Sequence, residues 1–159
     1  MKRRKPLPQP FWRFLFVVYC GVMLWLLFFR SYGWVEGLTY KQMLQQNYNL
    51  TPLLTVKNYW YVVTHHRNSS LLLHCFINLA GNVLLFIPAG WLLPHLWKRM
   101  RNFFRFMITC SFSIFLIEVV QLFSLLGRFD IDDLILNLSG MLLGFVYYHM
   151  QNAGKRKRK

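Results

Sequence analysis

Residues 106–126 read FMITCSFSIFLIEVVQLFSLL, and residues 127–150 continue as GRFDIDDLILNLSGMLLGFVYYHM. The first stretch is mostly apolar and carries a single charged residue, the acid Glu118. An α-helix needs about 20 mostly apolar residues to cross the hydrocarbon core of a bilayer. Residues 106–126 meet that length, and so do residues 132–150 once the helix is past Asp132 and Asp133. Only the short turn Gly127–Ile131 separates them. Two such runs joined so tightly are a pair of antiparallel spans, not strands or a soluble amphipathic helix.

Working outward, two more stretches qualify. Residues 71–97 are long and contain Pro88 and Pro94, and residues 11–29 carry one charge, Arg13. The expected fold is therefore all-α: a polytopic membrane protein, a bundle of four transmembrane helices at 11–29, 71–97, 106–126 and 132–150. A single membrane domain over 1–159 is expected. Its outer loop, residues 30–70, is too short for a domain of its own and lies over the outer face, where Tyr59, Trp60 and Tyr61 suit an interfacial aromatic belt. A basic tail, residues 151–159, ends the chain.

Composition agrees. Of 159 residues, 55% are hydrophobic and 15% charged, yet the formal net charge is +14. That pairing excludes a disordered tail and a soluble basic nucleic-acid binder, so no nucleic-acid partner is expected. The positive charge is instead distributed by side. Lys2, Arg3, Arg4, Lys5 and Arg13 flank the first span. Lys98, Arg99, Arg101 and Arg105 fill the second connection, and Lys155, Arg156, Lys157, Arg158 and Lys159 close the tail. On the other side, Arg30, Lys41, Lys57, Arg67 and Arg128 are balanced by Glu36, Asp130, Asp132 and Asp133. The positive-inside rule puts both termini in the cytoplasm, and the basic groups also suit contact with anionic lipid. The apolar run after the basic N-terminus lacks a small-x-small cleavage pattern, so it reads as a retained first span.

Cys20, Cys75 and Cys110 are isolated and fall inside spans, which assigns them to packing. His65, His66 and His74 lack a set of partners at metal-ligand spacing, and no metal or cofactor is expected.

An ionisable residue inside a span is costly and marks a functional hypothesis. Glu118 is the clear case, with Gln121 on the same helix face. In the last span Asp130, Asp133, Asn137, Gly140 and Gly144 fall within an arc of about 80° at ~100° per residue. Gly140 and Gly144 form a G-x-x-x-G pair that admits close backbone packing. His74, Asn78, Gly81 and Asn82 cover about 100° of the second span by the same rule. Pro88 follows, and in a helix it disturbs the carbonyl of Leu84. At ~1.5 Å per residue, Asn78, Gln121, Glu118 and Asn137 all lie roughly 8–12 Å below the outer ends of their spans. Three helices thus place polar groups in one outer layer. The expectation is an outward-opening polar pocket with Glu118 at its floor and Arg128 with Asp130 at its rim. Interhelical polar glue and helix capping by aspartate are the competing structural explanations.

These residues resemble a known family. Asn82 to Gly90 is similar to an N-x-x-x-F-x-P-x-G element, and Ile117, Glu118 and Gln121 to an I-E-x-x-Q element. Arg128, Asp130, Asp133, Asn137, Gly140 and Gly144 resemble an R-x-x-D-x-x-D-x-x-x-N-x-x-G-x-x-x-G element with a tighter Arg–Asp spacing. Asn49 to Pro52 resembles an N-L-x-P-F element, with Leu53 in place of the aromatic. Together these resemble the VanZ-like family. That resemblance implies a bacterial cytoplasmic membrane and a link to teicoplanin, a lipoglycopeptide acting at the bacterial cell surface.

Three functions follow as expectations. The first is non-enzymatic binding of membrane lipid, a cell-wall precursor or a lipoglycopeptide by Asn78, Asn82, Glu118, Gln121, Arg128, Asp130, Asp133 and Asn137, giving low-level teicoplanin-type resistance. The second is an intramembrane enzyme on a lipid or envelope precursor, with Glu118 as general base. The third is a small proton-coupled exporter with Glu118 as proton carrier.

Overall fold

The computed structural model describes residues 8–28, 37–65 and 69–156. The basic residues 2–5 and 157–159, together with Arg30, Glu36, His66 and Arg67, lie outside the described residues, as do the side chains of His74, Cys75, Lys155 and Arg156. In chain order the elements are α1 (Gln9–Phe28), α2 (Tyr40–Gln46), β1 (Tyr48–Asn49), α3 (Leu54–His65) and α4 (Ser69–Leu96). A 3-10 turn (Lys98–Arg101), α5 (Phe103–Ser124), β2 (Phe129–Asp130) and α6 (Ile131–Arg156) follow.

Four helical segments are long and apolar enough to cross a membrane: Gln9–Phe28, Phe76–Leu96, Phe103–Ser124 and Ile131–Ala153. The protein is an all-α membrane bundle. Its core draws on all four helices, with Met23 from α1, Phe86 and Ala89 from α4, Phe106, Cys110 and Ile114 from α5, and Met141 and Phe145 from α6.

The tightest pairing is between α4 and α6. Val83 faces Gly140, Ile87 faces Gly144, and Trp91 Nε1 donates to Gln151 Oε1 at 3.1 Å. Residue numbers rise together along both helices, so α4 and α6 run parallel. Three glycines set their approach. A Cβ on Gly90 would lie 1.9 Å from the Met141 carbonyl oxygen, and one on Gly140 or Gly144 would lie 2.1 Å from the Val83 or Ile87 carbonyl oxygen. Side chains cannot occupy such a crossing, and close backbone packing is what holds helices together in lipid. The α5–α6 pair that the short turn predicts is also in contact, in the antiparallel sense, with Phe106 against Phe145 and Glu118 against Asp130. It is the looser of the two.

Pro88 sits within α4 and is exposed. Proline removes a donor from the helical ladder. One turn before it, Tyr19 of α1 donates its hydroxyl to the Leu85 carbonyl at 2.8 Å. The extra donor thus meets Leu85 and not Leu84, the carbonyl singled out by the sequence, and it ties α1 to α4.

The connection between the first two spans is more structured than its composition suggests. Thr39 opens α2 with a capping box: Thr39 Oγ1 accepts from Gln42 N, and Gln42 Oε1 accepts from Thr39 N at 2.8 Å. Tyr40 donates its hydroxyl to the Phe123 carbonyl at 2.8 Å, fixing α2 to the end of α5. β1 then pairs in parallel with β2, in the register Tyr48 to Phe129 and Asn49 to Asp130. The α3 helix follows, with Trp60 and Tyr61 exposed on its surface.

Candidate functional site

The polar site is built where the α5–α6 turn meets the α2–α3 segment. Asp130 is the N-cap of α6: its Oδ1 accepts the backbone N–H of Asp132 at 2.9 Å, the usual service of aspartate at a helix start. The same oxygen accepts Asn49 Nδ2 at 3.1 Å, and Oδ2 accepts Thr55 Oγ1 at 2.7 Å. Asp132 reaches the other way. Its carboxylate accepts the backbone N–H groups of Leu53 and Thr55, which open α3. It is 1% exposed, and both oxygens are engaged. Leu53 has φ 63, the left-handed region that leucine rarely adopts. The two aspartates therefore clamp a strained loop and the first turn of α3 onto the N-terminal end of α6.

Asp133 faces differently. One of its oxygens accepts Asn82 Nδ2 from α4. Further up α4, Asn78 Nδ2 donates to the Tyr59 hydroxyl of α3 at 2.7 Å. Gln121 donates Nε2 to the Leu27 carbonyl at the end of α1, at 3.0 Å, and its side chain packs directly against Gly127.

These groups surround a cleft of about 470 Å³. Asn78, Asn82, Gln121, Arg128, Asp130 and Asp133 line it, so the structure brings six of the eight sequence-derived binding candidates to one place. Thr55 and Tyr59 complete the polar side. Leu26 and Leu27 of α1 with Ile77 and Leu85 of α4 supply an apolar wall. Gly81 lies between them, and a Cβ there would meet nothing within 4 Å. The cleft is thus lined by both polar and apolar side chains.

Glu118 and Asn137 are not in the lining. Glu118 is 2% exposed, and its Oε2 accepts the backbone N–H of Asp130 at 3.2 Å. The sequence reading put this carboxylate at the open floor of the pocket. The strand residues of β2 fold across it instead, so it supports the wall from behind. Asn137 is 3% exposed, and among the described residues its Oδ1 has no hydrogen-bond partner. Pro88 lies away from the cleft, while Gly140 and Gly144 are the packing contact with α4 described above.

Sequence reasoning left Asn49, Thr55, Tyr59 and Asp132 out of the binding set. Asn49 entered only as part of a family-like element, and Asp132 fell off the helical stripe that selected Asp130 and Asp133. A signal did exist: Asp132 stands two residues after an N-cap aspartate, where its side chain is free to serve another segment. Among the described residues no group of three or more histidines, cysteines or acids could hold a metal ion.

Fold and site together define a multi-span α-helical membrane protein with a polar cleft at one end of its bundle. The chain belongs to the VanZ/LLP1 family, whose sequence model matches residues 16–152. It is similar to Protein VanZ of Enterococcus faecium, at 27% identity over 150 residues that cover 92% of this chain and 79% of that protein. No solved structure matches it.

Proposed function

We propose that the cleft binds an amphipathic envelope molecule, such as a membrane lipid, a lipid-linked cell-wall precursor or a lipoglycopeptide, without transforming it. The observation that carries this reading is the mixed lining of the cleft. Asn78, Asn82, Arg128 and Asp133 offer charge and hydrogen bonds, and Leu26, Leu27, Ile77 and Leu85 offer apolar surface. Sites for small ligands combine these two features in this way.

The charge distribution of the sequence puts the cleft on the outer side of the membrane. The relative from Enterococcus faecium supports a bacterial cytoplasmic membrane as the setting. In that setting a bound lipoglycopeptide or its target would give a low level of teicoplanin-type resistance. Catalysis by Glu118 is the weaker reading, because a general base must come within hydrogen-bond reach of its substrate. Glu118 is buried behind β2 and already accepts a backbone N–H. The experiment is teicoplanin susceptibility in a host with and without the expressed gene, beside an Arg128→Ala variant of equal abundance. A rise in tolerance that Arg128→Ala abolishes supports the reading. Equal susceptibility in all three strains removes the resistance role.

A further inference from the structure

The cleft holds two opposite charges that are not joined to each other. Arg128 is exposed and lines the cleft. The hydrogen bond to Asp133, which lines the cleft with it, comes from Asn82. Among the described residues no donor meets the second oxygen of Asp133. Asp130, the other acid in the lining, is engaged as an acceptor: its two oxygens hold Asn49, Thr55 and the backbone of Asp132. One guanidinium and one carboxylate are thus left to meet a ligand.

A purely anionic head group would satisfy Arg128 and leave Asp133 facing it. A purely cationic one would do the reverse. Like charges brought together in a partly buried site are disfavoured, and a group of each sign satisfies both. Building on the binding role proposed above, we infer that the ligand is a phospholipid whose head group bears a primary ammonium as well as a phosphodiester. The ammonium donates hydrogen bonds to Asp133, the phosphodiester meets Arg128, and the acyl chain runs along Leu26, Leu27 and Leu85 past the open Cα of Gly81. Charge-assisted bonds of this kind are the stronger ones, and an ammonium supplies three donors. A phosphoethanolamine head and an aminoacyl ester of phosphatidylglycerol both carry this chemistry.

The test is native mass spectrometry of the full chain, delipidated in mild detergent. It is titrated with phosphatidylethanolamine, an aminoacyl-phosphatidylglycerol, phosphatidylglycerol and phosphatidylcholine. The wild type should retain at least one amine-bearing lipid about tenfold better than phosphatidylglycerol, the free energy of one good charged contact. Which amine lipid leads tells the two sources apart. Phosphatidylcholine should bind weakly, since its methylated ammonium donates no N–H bond. Asp133→Asn keeps an amide oxygen for Asn82, so the fold contact survives while the charge goes. It should equalise the amine lipids and phosphatidylglycerol. Arg128→Gln should weaken all four. Retention of phosphatidylglycerol or phosphatidylcholine as good as that of the amine lipids overturns the inference and leaves the binding role standing. So does an amine preference that survives Asp133→Asn. A wild type that retains no phospholipid overturns the inference and lipid binding alike.

Discussion

The carboxylate of Asp132 accepts the backbone N–H of Thr55 at 2.7 Å, so a side chain in the first turn of the last span caps the start of α3 across a separation of 77 residues. The same carboxylate holds Leu53 in its left-handed conformation. Asp132→Ala strips two backbone donors of a buried, charged acceptor. We expect it to cost about 2 kcal/mol, the scale of a lost charged cap. Hydrogen exchange should locate the loss at residues 53–58, with Asp132→Asn falling between the variant and the wild type.

Glycines in this protein divide into two kinds. Gly90→Ala and Gly140→Ala drive a Cβ to 1.9 and 2.1 Å from backbone oxygens, where nothing can yield without parting the helices. Both variants should accumulate poorly and melt early in detergent. Gly21→Ala and Gly81→Ala meet open space. They should accumulate normally and gain up to about 1 kcal/mol of helix propensity.

Tyr19→Phe removes the hydroxyl that meets the Leu85 carbonyl one turn before Pro88. Hydrogen bonds between helices in membranes average roughly 0.6 kcal/mol. The expected fall in thermal stability is correspondingly small, and it should not add to that of Gly90→Ala if α1 docks only after α4 and α6 have closed.

Glu118→Ala leaves the Asp130 backbone N–H without its buried acceptor and should lower protein abundance. Glu118→Gln retains an acceptor and should restore abundance and ligand retention together. Arg128→Ala should do the opposite, with normal abundance and lost retention, because Arg128 is exposed and faces the cleft. Immunoblotting of membranes beside lipid retention by the purified variants separates the two patterns.

Much of this architecture is legible in the sequence because lipid imposes strict length and polarity rules. Residues 106–126 have one acid in a stretch long enough to cross, and that alone fixes α5. The stripe from Asp130 to Gly144 announces a packed face. Its partner is α4 and not the chain neighbour α5, since glycine spacing tells how closely a backbone comes but not whose. The α2–α3 segment was unreadable for another reason. Its helices are short, and much of what holds them comes from afar: Asp132 caps α3, and the Tyr40 hydroxyl bond positions α2, whose Thr39–Gln42 capping box alone is local. Such contacts leave no local period. Glu118 was legible as a buried acid, but its distance from the cleft depends on two residues of β2 that carry no strand pattern.

The most direct measurement of the central claim is native mass spectrometry of the chain purified from membranes, wild type beside Gly81→Leu. Gly81 lines the cleft and a Cβ there touches nothing, so leucine fills ligand space without disturbing a packed contact. If the cleft is a binding site, the wild type carries a lipid-mass adduct that Gly81→Leu has lost at unchanged melting temperature. Identical adducts on both proteins, or none on the wild type, would contradict the account.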